Sequence, residues 1–202
     1  MTRSRGPRGA GTDTRADIVA AAAAVFMRDG YAGTSMRAIA REASVDPAMV
    51  RHWFDSKVEL FVAALRPAQR DDPRLVALAA LPPTHLGEAL VRVFSSLWDD
   101  PVQGPRLATI LRAAVADEDV AEAVRGVIIA DVLEQVLEGH PEIPASERAL
   151  RASLAASQMI GLAAARHLLG FAALESADLD TLVAAYGPTL QRYLTGDLGP
   201  VA

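Results

Sequence analysis

From Thr14 onward the apolar positions recur at helical spacing. Ile18, Ala21, Ala22, Val25 and Phe26 fall at i, i+3, i+4, i+7 and i+8, which predicts one buried stripe along a first helix. Gly30 follows Arg28-Asp29 and is read as a left-handed stop, a conformation glycine takes without steric cost. Thr34-Ser35 offers an N-cap for a second, short helix from Met36 to about Ala43, with Ile39, Ala40 and Ala43 turned inward. Ser44-Val45 makes a tight connection. Asp46-Pro47 is the next start signal, because Asp accepts free N–H groups and Pro suits the first helical position; a third helix is predicted from Pro47 to about Phe54. Ser56 and Glu59 have the spacing of a capping box and open a fourth helix, whose apolar face is Leu60, Phe61, Ala64 and Leu65 and whose end or kink is Pro67.

Beyond residue 66 longer apolar-periodic runs are separated by breaks at Pro82-Pro83, Pro101 to Pro105, Gly139 to Pro144 and near Gly170. Helices are expected at about 84–98, 105–116, 118–138, 145–169 and 178–194, the last broken at Gly187-Pro188. Alanine and leucine dominate while β-branched runs are scarce, so the whole chain is expected to be all-α. The expected division is a flexible arm over 1–12, a helix-turn-helix domain over 13–66 and a longer helical domain over 67–202. Two short helices across the turn at Ser44-Val45 have the geometry of a helix-turn-helix.

Charge sharpens this division. Residues 1–66 hold ten Arg and Lys against seven Asp and Glu, whereas 67–202 hold ten against eighteen. A mildly basic head on an acidic body suggests that only the head approaches a polyanion. With no cysteine, disulfides and thiolate metal sites are excluded, and a reducing compartment fits. The N-terminal arginines have no apolar run behind them, so no secretory signal is expected, and the cytoplasm is the expected location. The uncharged run between Arg151 and Arg166 is 14 residues, short of the roughly 20 that span a bilayer. No membrane association is expected.

No nucleophile elbow, P-loop, HExxH or dinucleotide fingerprint occurs, and the four histidines (His52, His85, His140 and His167) are scattered, so no enzyme activity, no cofactor and no metal site is expected. A helical protein-interaction adaptor with a degenerate helix-turn-helix stays open on pattern alone. Salt separates the two readings: operator binding is sequence-selective and weakens steeply with added salt, and an adaptor binds no DNA.

The run from Asp17 to Leu65 closely resembles the DNA-binding domain of the TetR, or tetracycline-repressor-like, family. The elements that carry the resemblance are Gly30-Tyr31, Thr34-Ser35, Ile39-Ala40 with Ala43, the aromatic Phe54, and Ser56-Lys57 with Leu60. The resemblance covers about a quarter of the chain; the stretch from Gly161 to Leu194 is similar to the C-terminal region of many family members in a looser way. It implies a three-helix DNA-binding head joined to a regulatory domain over 67–202 that binds ligand and dimerises, the whole acting on double-stranded operator DNA. Two departures stand out. Ser44 replaces the glycine common in the turn, and Arg51 and Trp53 stand where tyrosine and a second histidine are common, so base contacts are not carried over.

In a helix-turn-helix the second helix enters the major groove by its N-terminal residues, here Asp46, Pro47, Ala48, Met49, Arg51 and His52. Ala48 and Met49 suit a thymine methyl, and Arg51 suits guanine or a phosphate. Thr34 and Ser35 offer hydroxyls at a helix start, and Lys57 fits a phosphate clamp. The resemblance adds Arg37, toward the groove, and Tyr31. Trp53 or His52 is read as touching the backbone, and Phe54 as core. The arginines of the arm (Arg3, Arg5 and Arg8) either follow a minor groove or belong to a disordered terminus.

A two-fold operator needs a two-fold protein. The resemblance implies a homodimer through the C-terminal helices at about 145–169 and 178–194; on pattern alone, small residues such as Ala152, Ala155, Ala156 and Gly161 permit close helix approach either between copies or within the core of one chain. The resemblance implies an inducer pocket in the body. Polar or aromatic groups amid apolar helices mark its candidates: Phe94, Trp98, Arg112, Gln158, Met159 and His167. The apolar surroundings suggest an apolar or amphipathic small molecule.

Overall fold

A computed structural model describes residues 12–65 and 73–199. Residues 1–11 of the arm and Pro67 lie outside the described residues, and Thr12 already belongs to the first helix. Within them the chain is helical, with no strand. It divides into two compact units, one of 12–65 with 112–123, the other of 73–111 with 124–199.

The first unit contains α1 (Thr12–Gly33), α2 (Met36–Glu42), α3 (Pro47–Trp53) and α4 (Lys57–Leu65). Its core collects much of the predicted faces, Ile18, Val25 and Phe26 from α1, Ile39 from α2, Phe54 just after α3, and Leu60, Phe61 and Leu65 from α4, and adds Val50 of α3, for which no inward role was expected; all are buried. Phe26, Tyr31 and Phe61 form an aromatic cluster, with Phe61 edge-on to Phe26 at 4.9 Å and to Tyr31 at 5.0 Å. Gly30 is not the expected left-handed stop. Its φ of 72° comes with an extended ψ of 174°, a region open essentially to glycine alone, and α1 resumes for one more turn beyond this kink.

The second unit holds α5 (Pro73–Ala79), α6 (Leu86–Asp99), most of α7 (Gln103–Ala116), the end of α8 (Glu118–Gly126), α9 (Glu134–Glu138), α10 (Ala145–Ala163), α11 (Ala172–Glu175) and α12 (Leu179–Thr195). Neither α5 nor α11 is predicted by the sequence pattern. The helix expected over 118–138 is continuous but widens to π geometry at Val127–Leu133, where Glu134 N–H bonds back to the Ile129 carbonyl; α10 does the same at Ala164–Leu168. Asp100 sets the start of α7 by accepting N–H bonds from Gln103 (2.7 Å) and Val102 (2.8 Å), which hold its carboxyl below the usual range.

The break expected at Gly187-Pro188 does not occur: α12 runs through it from Leu179 to Thr195. Pro188 is exposed, as are Ala184 and Ala185, so the carbonyl freed by the missing N–H sits on a solvated face. The opposite face is fixed by packing, since Gly187 meets α6 at Gly87. A Cβ built on Gly87 would overlap the Gly187 carbonyl oxygen and lie 2.6 Å from the Gln191 nitrogen. Gln191 fastens the crossing, accepting from Gly87 N–H at 2.9 Å and donating to the Pro83 carbonyl at 2.6 Å.

Candidate functional site

Three local capping bonds build the head. Ser35 Oγ accepts from Ala38 N–H (3.2 Å) and starts α2, and Asp46 accepts from Ala48 N–H (2.7 Å) and starts α3 with Pro47 in the first turn. Ser56 Oγ accepts from Glu59 N–H (3.0 Å), while the Glu59 carboxylate reaches back to Asp55 N–H (2.8 Å), one residue further than a simple capping box.

The turn between α2 and α3 is a Schellman motif. Val45 N–H bonds to the Ala40 carbonyl (3.0 Å) and Ser44 N–H to that of Arg41 (3.2 Å). The motif needs one left-handed residue, and Ser44 takes that role at φ 55°. A side chain there costs about 1 kcal/mol relative to glycine. Ser44→Gly is therefore expected to raise Tm by roughly 2–4 °C in calorimetry.

The turn aims α3 outward. Val50 is 0% exposed, whereas Asp46, Pro47, Ala48, Met49, Arg51 and His52 are all exposed, Met49 at 41%. On α2, Arg37 is exposed as well. Trp53 is half-buried beside His52, and its indole N–H is shielded without an acceptor.

Two residues expected to offer polar groups outward are engaged inside the head. Thr34 is only 4% exposed, and its hydroxyl donates to the Gly30 carbonyl at 2.7 Å, so it closes the kink in α1 rather than facing solvent. The Lys57 ammonium donates to the carbonyls of Tyr31 (3.0 Å) and Thr34 (3.2 Å) and lies 4.0 Å from the Tyr31 ring centroid. Lys57 thus ties α4 to the loop that starts α2, leaving one of its three N–H groups. Burial, with the carboxylates of Asp117 and Asp119 secondary, raises the Tyr31 pKa and keeps its phenol protonated as a donor.

The second unit contains a cavity of about 160 Å³ among α5, α6, α7, the π stretch at Val127–Leu133 and α10. Phe94, Trp98 and Met159 line it, as the sequence suggests. His167 stands one layer back, stacked on the Trp98 ring at 4.8 Å. Burial, then the adjacent Arg166, lowers the His167 pKa.

Gln158 and Arg112 are not in the wall; Gln158 is half-buried elsewhere on α10, and Arg112 is exposed and belongs to the first unit. The sequence pattern also missed Leu75 and Leu78 of α5 and Leu107 and Leu111 of α7, all of which line the cavity. Among the described residues no helix is long and apolar enough to cross a membrane, and no cluster of three metal-ligating side chains occurs.

α10 and α12 each keep one uncovered face. On α10 it carries Leu150, Ser153, Ser157, Ile160 and Gly161, with open space where a Gly161 side chain would stand; on α12 it carries Ala184, Ala185 and Pro188.

Comparison with known proteins adds an independent line. A family model described as bacterial regulatory proteins, tetR family, matches residues 18–64, and one described as tetracyclin repressor-like, C-terminal domain, matches 85–194. The crystal structure of a TetR-family regulator from Streptomyces coelicolor superposes with a TM-score of 0.71 at 31% identity, covering 94% of this chain and 99% of that one. The HTH-type transcriptional repressor NicS of Pseudomonas putida is 31% identical over 112 residues, 55% of this chain and 53% of that one. The HTH-type transcriptional regulator BetI of Rhizobium meliloti is 38% identical over 82 residues, 39% of this chain and 40% of that one. The chain spans about half the length of the curated relatives it matches, or less.

Proposed function

This chain belongs to the tetracycline-repressor-like family of bacterial DNA-binding regulators, and we propose that it is a homodimeric cytoplasmic repressor that a small apolar or amphipathic molecule releases from a palindromic operator. The observation that carries the reading is the outward row on α3. Asp46, Pro47, Ala48, Met49, Arg51 and His52 stand free of the core on a helix whose inner side is pinned by Val50 and Phe54. Such a helix is shaped to enter a major groove, with Arg51 able to donate to guanine or phosphate and Met49 to cover a thymine methyl. Arg37, Ser35, Tyr31 and the remaining N–H of Lys57 supply donors for phosphate oxygens, which set register rather than sequence, and the half-buried Trp53 ring lies beside His52 with its N–H shielded.

The uncovered faces of α10 and α12 supply the two-fold contact, since their small residues let helices of two copies approach closely. An inducer acts only by binding more tightly to the arrangement of two heads that does not fit the operator. The apolar cavity is the place for it. In this reading 13–66 is the DNA-binding domain and the rest regulatory, with residues 112–123 packed in the unit of the head.

Arg37→Ala and Arg51→Ala test the reading face. Each is expected to weaken binding to a selected operator roughly ten- to a hundredfold, measured by fluorescence anisotropy, with Tm unchanged. Unchanged affinity in both variants would contradict the assignment.

A further inference from the structure

The sequence leads one to expect a pocket marked by polar side chains. Among the described residues the wall of the cavity holds none: the lining side chains are aliphatic or aromatic apart from the Met159 thioether, and the one nitrogen or oxygen atom in those side chains is the indole nitrogen of Trp98. The arginine and glutamine expected there point elsewhere. His167 stacks on the Trp98 ring rather than lining the space itself, and its burial disfavours the imidazolium.

Two consequences follow for any occupant. A charged group carried inside this wall loses its hydration without gaining a partner, which costs more than apolar contact returns. Size is limited as well. A dry apolar cavity of about 150 Å³ takes a benzene-sized guest, and the space here is about 160 Å³. Phe94 and Trp98, tilted at 41° with centroids 5.9 Å apart, give one end an aromatic wall, and the Met159 thioether lies in the same lining.

From the apolar lining and the volume of this cavity we infer that it takes an uncharged molecule of about one aromatic ring and rejects carboxylate and ammonium compounds of the same shape. The inference rests on the reading of the chain as a ligand-released repressor only for its regulatory meaning; the binding selectivity is a property of the cavity.

The test is calorimetric titration of the purified full chain with three matched probes: p-xylene, p-toluate and p-methylbenzylamine. Saturable binding of p-xylene, with both ions weaker by about a hundredfold or more, is expected. Ala156→Leu and, separately, Ala163→Leu fill the cavity from α10 and are expected to abolish xylene binding in whichever variant keeps the wild-type helical signal. Equal or tighter binding of either ion, no binding of any probe, or unchanged xylene binding in a folded filled variant would overturn the inference. An operator titration run in parallel separates the two claims. Saturable, charge-selective xylene binding by a chain that binds no operator would sink the repressor reading and leave the cavity's selectivity standing.

Discussion

Gly87→Ala is expected to lower the stability of the protein by about 3 kcal/mol, at the upper end of overpacking substitutions. The reason is the crossing of α6 and α12. The added methyl would fall on the Gly187 carbonyl oxygen and come within 2.6 Å of the Gln191 nitrogen and 2.8 Å of its Cβ. These are mostly backbone atoms, so no rotamer change relieves the overlap and the two helices must separate. Separation also strains the bonds from Gln191 to Gly87 N–H and to the Pro83 carbonyl. The expected fall in Tm is roughly 6–12 °C for a chain of this size. Gly126→Ala serves as the control, because a Cβ there meets nothing within 4 Å. A Gly87→Ala protein as stable as wild type would show that α6 and α12 do not cross at these glycines.

Arg151→Met is expected to cost a similar amount, about 3 kcal/mol, for an electrostatic reason. Arg151 is 7% exposed and grips three groups. Its Nε and Nη2 donate to Glu147 Oε2 at 2.9 and 2.7 Å, and its Nη1 donates to the carbonyls of Tyr193 and Gly196, both at 3.0 Å. The last two lie at the end of α12, where carbonyls have no partner within the helix. Methionine keeps most of the volume and none of the donors, so Glu147 and two carbonyls lose their partner together. Arg151→Lys should recover little, since one ammonium cannot reproduce the fork. Thermal unfolding followed by circular dichroism reads both variants; a lysine protein as stable as wild type would mean that charge alone, not the fork, holds this corner.

What was legible in the sequence is what short-range bonds decide. Ser35, Asp46 and Ser56 each cap a helix through a bond spanning two or three residues, so type and spacing suffice to find α2, α3 and α4. The turn at Ser44-Val45 was legible from the two start signals around it, whereas the left-handed conformation of Ser44 was indicated only by the glycine that the family commonly has there. What failed depends on distant partners. Lys57 reads as an exposed clamp until its carbonyl partners, 23 and 26 residues away, come into place. Gly187-Pro188 reads as a break because nothing nearby announces that Gly87 will meet it across a helix crossing.

α5 has only seven residues, the first of them Pro73, too few for a period to stand out. The cavity shows the same limit in another form. Polar residues on apolar helices are conspicuous in a sequence, yet Arg112 and Gln158 lie outside a wall built of leucines that look like ordinary core. Phe94, Trp98 and Met159 were found because an aromatic or a thioether is rare enough in this chain to be noticed.

The central claim is that α3 reads a two-fold operator, and selection of sites from random duplex DNA with the purified full chain tests it most directly. The account predicts an inverted repeat whose half-sites are centred about one helical turn apart, roughly 10 to 10.5 base pairs, or a multiple of it. Affinity for that repeat should fall steeply, by about a thousandfold or more between roughly 50 and 200 mM salt if six or more phosphates are contacted. A folded dimer that enriches no sequence at low salt would contradict the account.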